Sequence, residues 1–161
     1  MRISRDIIFK VIYLIKIETF GCEQTEKVGE SLGAALPQGS VVALFGDLGA
    51  GKTAFTRGFV RGAGIDAHVS SPTFSLVNEY TTGKKSVCHF DMYRITSCDD
   101  LYSTGYFDYL DAGSTLIIEW SENIVNDLPD DCIKVNIIKS GDENHRILEI
   151  SGCDGIEITC G

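Results

Sequence analysis

Apolar positions Val28, Leu32, Ala35 and Leu36 recur at helical spacing across residues 23–36, with Glu23 and Glu26 in the first turn, where a helix dipole favours anions. The pattern predicts an amphipathic helix. Pro37-Gln38-Gly39 breaks it, and the unbroken apolar run at 41–45 has strand length and no alternation. That is the mark of a strand covered on both faces, as in a parallel sheet. Residues 54–63 return to helical spacing, with Phe55, Phe59 and Val60 inward and Arg57 and Arg61 outward, until Gly62 and Gly64 end the run. Ser70-Ser71-Pro72-Thr73 is a turn cluster, and 74–80 and 87–92 are strands that residues 81–85 join as a hairpin.

Residues 97–110 read as one short helix, opened by Asp99-Asp100 and carrying Tyr102, Tyr106, Phe107 and Leu110 on its apolar face. Residues 116–118 are another buried strand. Residues 133–137 alternate and meet 147–150 across the turn Gly141-Asp142-Glu143-Asn144, giving a C-terminal β-hairpin with a polar outer face. At the other end, the apolar run 7–17 is interrupted by Lys10 and Lys16 and is about half the roughly 20 residues a membrane-spanning helix needs. An edge strand or an extended start is expected there, not a membrane anchor or a secretory leader.

Strands alternating with helices imply an α/β fold with a mostly parallel central sheet flanked by helices and the β-hairpin at its C-terminal end. The expected organisation is an N-terminal extension over residues 1–18, of unassigned role, followed by a single domain over 19–161. A chain of 161 residues with 43% hydrophobic and 23% charged residues fits one globular unit. The net charge of −9 repels phosphate backbones and anionic lipids, which disfavours direct binding to nucleic acid or membrane. Cys22, Cys88, Cys98, Cys132, Cys153 and Cys160 contain no CxxC pair, and His68, His89 and His145 are dispersed, so neither a disulfide framework nor a zinc site is expected. Reduced thiols in a cytoplasmic protein are the expectation.

Gly46, Asp47, Leu48, Gly49, Ala50, Gly51, Lys52 and Thr53 match GxxxxGK[ST], the phosphate-binding P-loop, and stand between the predicted strand and helix. Glycines let successive backbone N–H groups turn toward phosphate, and the following helix presents its positive end. Lys52 would bridge the outer phosphates and the Thr53 hydroxyl would ligate Mg²⁺. A carboxylate is also needed near the metal, at the carboxyl end of a neighbouring strand. Asp91 and Glu119 both close apolar strands and both meet the rule. Thr73, in the loop after the P-loop helix, is either a γ-phosphate sensor or an ordinary turn residue. Arg94 is either an internal arginine finger or a partner of Asp99 or Asp100.

Four blocks occur in one order: GDLGAGKT, SPTFSLVNEY at 71–80, HFDMYR at 89–94 and IEWSE at 118–122. Together they resemble the TsaE (YjeE) family, the ATPase component of the bacterial machinery that makes threonylcarbamoyladenosine in tRNA. The resemblance runs from about Thr19 to Ile150. It implies a P-loop NTPase-like domain that binds ATP and Mg²⁺ and docks on a complex of TsaB and TsaD, meeting tRNA only through that complex. By the same resemblance Thr73, Asp91, Glu119 and Trp120 line the nucleotide site. The segment around Phe20, Cys22 and Glu23 approaches the base, and Arg146 approaches the nucleotide. Ala54 departs from the family, where a second hydroxyl usually follows Thr53, so that hydroxyl's role has no bearer here.

On this reading Lys52 and the P-loop amides hold ATP, Thr53 and Glu119 hold the metal, and Asp91 positions water. The activity expected is a Mg²⁺-dependent ATPase, slow alone and stimulated by its partners. Two other readings use the same residues: a small-molecule P-loop kinase, and a nucleotide-gated interaction module that needs no hydrolysis. With six arginines and no evident lid insertion, the kinase has the least support in the chain.

Overall fold

The computed structural model describes residues 13–159. In chain order its elements are β1 (Leu14–Thr19), α1 (Cys22–Ala35), β2 (Val41–Phe45), α2 (Lys52–Gly62), β3 (Val77–Thr82), β4 (Lys85–Asp91), α3 (Cys98–Ser103), α4 (Tyr106–Asp111), β5 (Thr115–Glu119), β6 (Ile133–Lys139) and β7 (Arg146–Ser151), with a 3-10 helix at Ser121–Asp127. One seven-stranded sheet has the order β1-β7-β6-β2-β5-β4-β3.

The α/β fold matches expectation, but the sheet is mixed rather than mostly parallel. β2 runs parallel to β5 and β6, and β4 runs parallel to β5. β1–β7, β6–β7 and β3–β4 are antiparallel. Connection length explains the difference, because a parallel pairing needs a crossover of a dozen or more residues. Only Gly83 and Lys84 separate β3 from β4, and a short turn separates β6 from β7. Four parallel strands therefore form the centre, and antiparallel strands fill both flanks. The C-terminal hairpin is β6 and β7, built into the sheet through β2 on one side and β1 on the other.

Two further expectations change. The single helix at 97–110 is two, broken at Gly105, which adopts φ +78°. A Ser97–Asp100 capping box holds the start of α3, with Ser97 Oγ accepting from the Asp100 N–H and Asp100 accepting from the Ser97 N–H. β1 crosses the boundary drawn after residue 18, because its whole length pairs with β7. Residues 14–18 thus belong to the sheet as its edge strand, while residues 1–12 of the expected extension, and Cys160, lie outside the described residues.

The unbroken run at 41–45 is buried on both faces, as its pattern requires. Val42 and Leu44 join α1 and α2 in one core through Val28, Leu32, Phe55 and Phe59. Val41 and Ala43 face the other core, where Phe90, Met92, Leu101 and Tyr106 pack. α1 and α2 themselves meet backbone to backbone. A Cβ added to Gly58 would lie 1.8 Å from the Glu26 carbonyl oxygen, and one on Gly62 would lie 2.0 Å from that of Glu30. Gly29 and Gly33 press in the same way on the carbonyls of Phe55 and Phe59, at 2.2 and 2.1 Å. Arg57 pairs with Glu26 and Arg61 with Glu30 across the seam. At this exposure such pairs add at most about 1 kcal/mol each, so close packing sets the helix geometry.

Gly58→Ala should therefore destabilise the protein. Relieving glycine in a helix gains about 1 kcal/mol, while forcing the backbones apart costs about 1–3 kcal/mol or more. The expected fall in melting temperature is several degrees, with Gly141→Ala, in open space, within about 0.5 kcal/mol of wild type. Circular-dichroism melts check this, and an unchanged Gly58→Ala melt would show that the seam opens freely.

The five described cysteines are unpaired, Cys22 and Cys98 exposed and Cys88, Cys132 and Cys153 buried. Burial pushes the Cys88 thiol up to about 11 and those of Cys132 and Cys153 upward as well, leaving little thiolate near pH 8. Iodoacetamide should label Cys22 and Cys98 in the native protein, and the buried three only after denaturation. Peptide mass mapping reads the outcome, with native labelling of Cys88 the contrary result.

Candidate functional site

The loop after β2 closes on itself through backbone geometry. Gly46 passes so near β6 that a Cβ would stand 2.5 Å from the Ile137 carbonyl oxygen, and Gly51, at φ +113°, opens α2 from a conformation L side chains rarely adopt. Its carbonyls are held by cations. Lys52 Nζ donates to the carbonyl oxygens of Gly46 and Asp47, the latter at 2.9 Å. Lys139 donates to that of Leu48, and Arg146 Nε to that of Ala50 at 2.9 Å, with Nη2 at 3.4 Å from the Gly49 oxygen. With these carbonyls occupied from outside or by Lys52, the peptide planes are fixed around the cavity they enclose.

That cavity has a volume of about 520 Å³. Leu48, Gly49, Ala50, Gly51, Lys52, Thr53, Thr73, Asp91, Glu119 and Trp120 all line it. The parallel pairing of β4 with β5 places Asp91 opposite Glu119. Thr53 Oγ1 donates to Glu119 Oε1 at 2.9 Å, and His89 Nε2 stands 2.8 Å from the same oxygen. Ser71 Oγ donates to Asp91 Oδ2 at 3.0 Å, with Thr73 Oγ1 3.5 Å from that oxygen, and the Tyr93 N–H donates to Asp91 Oδ1 at 2.9 Å.

Lys52, Asp91 and Glu119 are only 5%, 4% and 4% exposed. Burial lowers the Lys52 pKa, and the negative charges of Glu119, Glu122, Asp91 and Asp47 oppose that shift. Its ammonium also lies 3.9 Å from the centre of the Trp120 ring, a cation–π contact. Tyr93 also packs against Trp120, ring centroids 4.8 Å apart.

Gly46 and Asp47 do not line the cavity and act on it through the carbonyls that hold Lys52. Cys22 and Arg146 lie in an adjoining cavity of about 200 Å³, with Gly21, Thr25 and Asn144, which shares the wall Gly49-Ala50-Gly51 and Ala54 with the first. Phe20 stacks on His145 at 4.7 Å. Arg94 makes no ion pair with Asp99 or Asp100. Its guanidinium lies 5.5 Å from the centre of the Phe74 ring, outside the cavity lining, while Asp100 is engaged in capping α3.

Ser71, His89 and Tyr93 are site residues that sequence reasoning passed over. His89 stands two residues before Asp91 on β4, the spacing that puts strand side chains on one face, while Tyr93 lies in the turn that follows the strand. Ser71 carries no comparable signal.

Thr53 and Glu119 are hard oxygen donors bonded to each other at the helix N-terminus, a pair able to hold a divalent cation that keeps most of its waters. Among the described residues no three His, Cys, Asp or Glu side chains gather into a metal cluster, and no helix is long and apolar enough to cross a membrane.

The sequence pattern of the family described as threonylcarbamoyl adenosine biosynthesis protein TsaE matches residues 21–148. A Bacillus subtilis (strain 168) protein named tRNA threonylcarbamoyladenosine biosynthesis protein TsaE is 34% identical over 146 residues, covering 91% of each chain. A Haemophilus influenzae protein of the same name is 46% identical over 97 residues, 60% of this chain and 61% of its own. The crystal structure of Bacillus subtilis YdiB superposes with a TM-score of 0.72 at 31% identity, covering 87% of this chain and 86% of that one.

Proposed function

The chain belongs to the TsaE family of threonylcarbamoyl adenosine biosynthesis proteins, and from that premise we propose that it binds and hydrolyses ATP with Mg²⁺ as the accessory ATPase of a TsaB–TsaD complex that modifies tRNA. One observation carries this reading: Thr53 of the P-loop is bonded to the strand-end Glu119, in the cavity where Lys52 and Asp91 are also buried.

Two carboxylates beside a triphosphate repel it, so a cation must accompany the nucleotide. Bound there, Mg²⁺ would supply the charge neutralisation that transfer of the γ-phosphoryl group to water needs, ADP leaving. Thr53 and Glu119 would hold it. Lys52, already poised on the loop carbonyls of Gly46 and Asp47, turns its charge to the outer phosphates. Asp91, fixed by Ser71 and the Tyr93 N–H, has its carboxylate oriented to position the attacking water. Gly21, Cys22 and Arg146 border the neighbouring recess, which takes the nucleoside end.

Leu48, Phe74 and Tyr93 are 78%, 89% and 57% exposed at or beside the cavity lining. Such apolar side chains around a site's mouth suit covering by a partner, which supports turnover that is slow alone and faster in complex. The net charge of −9 supports contact with tRNA only through that complex.

Phosphate release from ATP, measured for the protein alone, for TsaB with TsaD, and for all three, tests the reading. Stimulation in the full mixture should be lost in Lys52→Ala and fall by about 100-fold or more in Asp91→Ala, both variants keeping the wild-type melting transition. Full turnover by a folded Asp91→Ala protein would remove that aspartate from the chemistry. Complex formation and ATP binding without hydrolysis would favour the nucleotide-gated module instead.

Arg146→Ala tests the loop. It removes charged donors to two loop carbonyls, each worth about 1.5–3 kcal/mol, and should weaken ATP affinity about tenfold or more. Quenching of Trp120, the one tryptophan in the chain, reads the affinity, and unchanged binding would show that Lys139 and Lys52 suffice.

A further inference from the structure

His89 lies on β4 and is completely buried. Nε2 faces Glu119 Oε1 at 2.8 Å. Nδ1 has no hydrogen-bond partner, and it is the one such fully buried side-chain nitrogen or oxygen among the described residues. Because a carboxylate accepts, Nε2 carries the hydrogen of that bond, while Nδ1 makes none. A buried imidazole with one unpartnered nitrogen is a poor way to fill a core, where a leucine would pack without that loss. The reason for a histidine here lies in the one bond it makes.

That bond bears on the geometry of Glu119. Oε1 receives Thr53 Oγ1 from the P-loop side and His89 Nε2 from the strand side. Oε2 has no hydrogen-bond partner among the described residues and is not a buried orphan, so it opens on the cavity that Glu119 lines. The last torsion of a glutamate is soft, and a single anchor leaves its carboxylate free to swing. Two anchors on one oxygen, one from the P-loop and one from the neighbouring strand, restrict that swing. Tyr80, with its ring centroid 6.3 Å from that of His89, packs beside the imidazole.

We propose that His89 is a positioning residue for Glu119: its Nε2–H ties Oε1 to the sheet and thereby presents Oε2 to the divalent cation. The inference rests on the Mg²⁺–nucleotide reading above, since that reading makes Glu119 a metal-holding group. Partners that orient metal ligands in this way typically affect metal affinity by about 10–100-fold. The effect should therefore fall on the Mg²⁺ requirement rather than on the nucleotide's own contacts with the loop.

The experiment titrates Mg²⁺ against the protein at fixed ATP, and ATP in the absence of Mg²⁺, with Trp120 fluorescence as the readout. His89→Leu keeps the volume and loses the donor. His89→Gln places an amide N–H near the Nε2 position, and His89→Asn carries the same amide on too short a side chain to reach. The expected result is a half-saturating Mg²⁺ concentration raised about tenfold or more in His89→Leu and His89→Asn, recovery toward wild type in His89→Gln, and metal-free ATP affinity within about twofold throughout. A purely structural role would lower stability and both affinities together and would not be rescued by glutamine. If His89→Leu does not fold, the Gln and Asn pair decides. Equal Mg²⁺ requirements in the folded variants and a wild type that does show Mg²⁺-dependent binding overturn the inference alone. A wild type without Mg²⁺-dependent ATP binding overturns the functional reading and the inference with it.

Discussion

Thr53 stands in the first turn of α2 and Glu119 is the last residue of β5, sixty-six positions later, yet their side chains meet at 2.9 Å. That contact exists because β2 lies parallel to β5, so the strand that feeds the loop and the strand that ends in the carboxylate finish at the same edge. It also depends on where α2 starts. Gly58 and Gly62 let α2 settle on the backbone of α1, with no side chain between the helices at those points. A bulkier seam would lift the helix away from α1 and carry its N-terminus, with Thr53, relative to the sheet.

Electrostatic balance follows from the same arrangement. Burying an ammonium is costly, and burial does lower the pKa of Lys52. Four acidic side chains oppose that shift, and the group also contacts two loop carbonyls and the Trp120 ring. Hydrogen bonds from the ammonium to the loop's own carbonyls are the kind a stronger anion can displace. Two of these carboxylates, Glu119 and Asp91, are held to hydroxyls, an imidazole and a backbone N–H rather than to Lys52. The cation is therefore not locked in an ion pair that a ligand would have to break.

Much of this was legible in the chain. The run at 41–45, flanked by a glycine loop and an amphipathic helix, carries its own explanation, and so do Asp91 and Glu119 as acids closing apolar strands. Legibility failed where the answer depended on pairing between distant segments. Nothing local says that β1 joins β7, and the helix expected at 97–110 hides a break that only the left-handed turn at Gly105 reveals. The mixed sheet was missed although both hairpins were readable, because a buried apolar run reports that a strand is central and not how many antiparallel neighbours lie beyond it. Arg94 was judged by its nearness in sequence to Asp99 and Asp100, but the capping box claims Asp100 first. His89 was overlooked because an isolated histidine in an apolar strand looks like core, and its partner lies on the neighbouring strand.

The backbone around the cavity bears a related cost. Leu76 and Trp120 are the two non-glycine residues with positive φ among the described residues, at 66° and 58°, and both flank the site. Each such conformation costs on the order of 1–3 kcal/mol, which is appreciable against the roughly 5–15 kcal/mol that holds a domain together. In an extended strand Glu119 and Trp120 would point to opposite faces. The left-handed turn at Trp120 breaks that alternation, so that two consecutive residues line one cavity. At Leu76 the N–H closes a turn onto the Pro72 carbonyl while its own carbonyl accepts the Asp91 N–H at 3.0 Å. The turn therefore ties the loop that carries Ser71 and Thr73 to the end of β4, beside the carboxylate those hydroxyls approach. Neither conformation would survive on local preference. Each persists because the surrounding contacts, the Trp120 ring against Lys52 and Tyr93 and the Leu76 carbonyl on the backbone of Asp91, outweigh it, and those contacts are made by the residues proposed to meet the nucleotide.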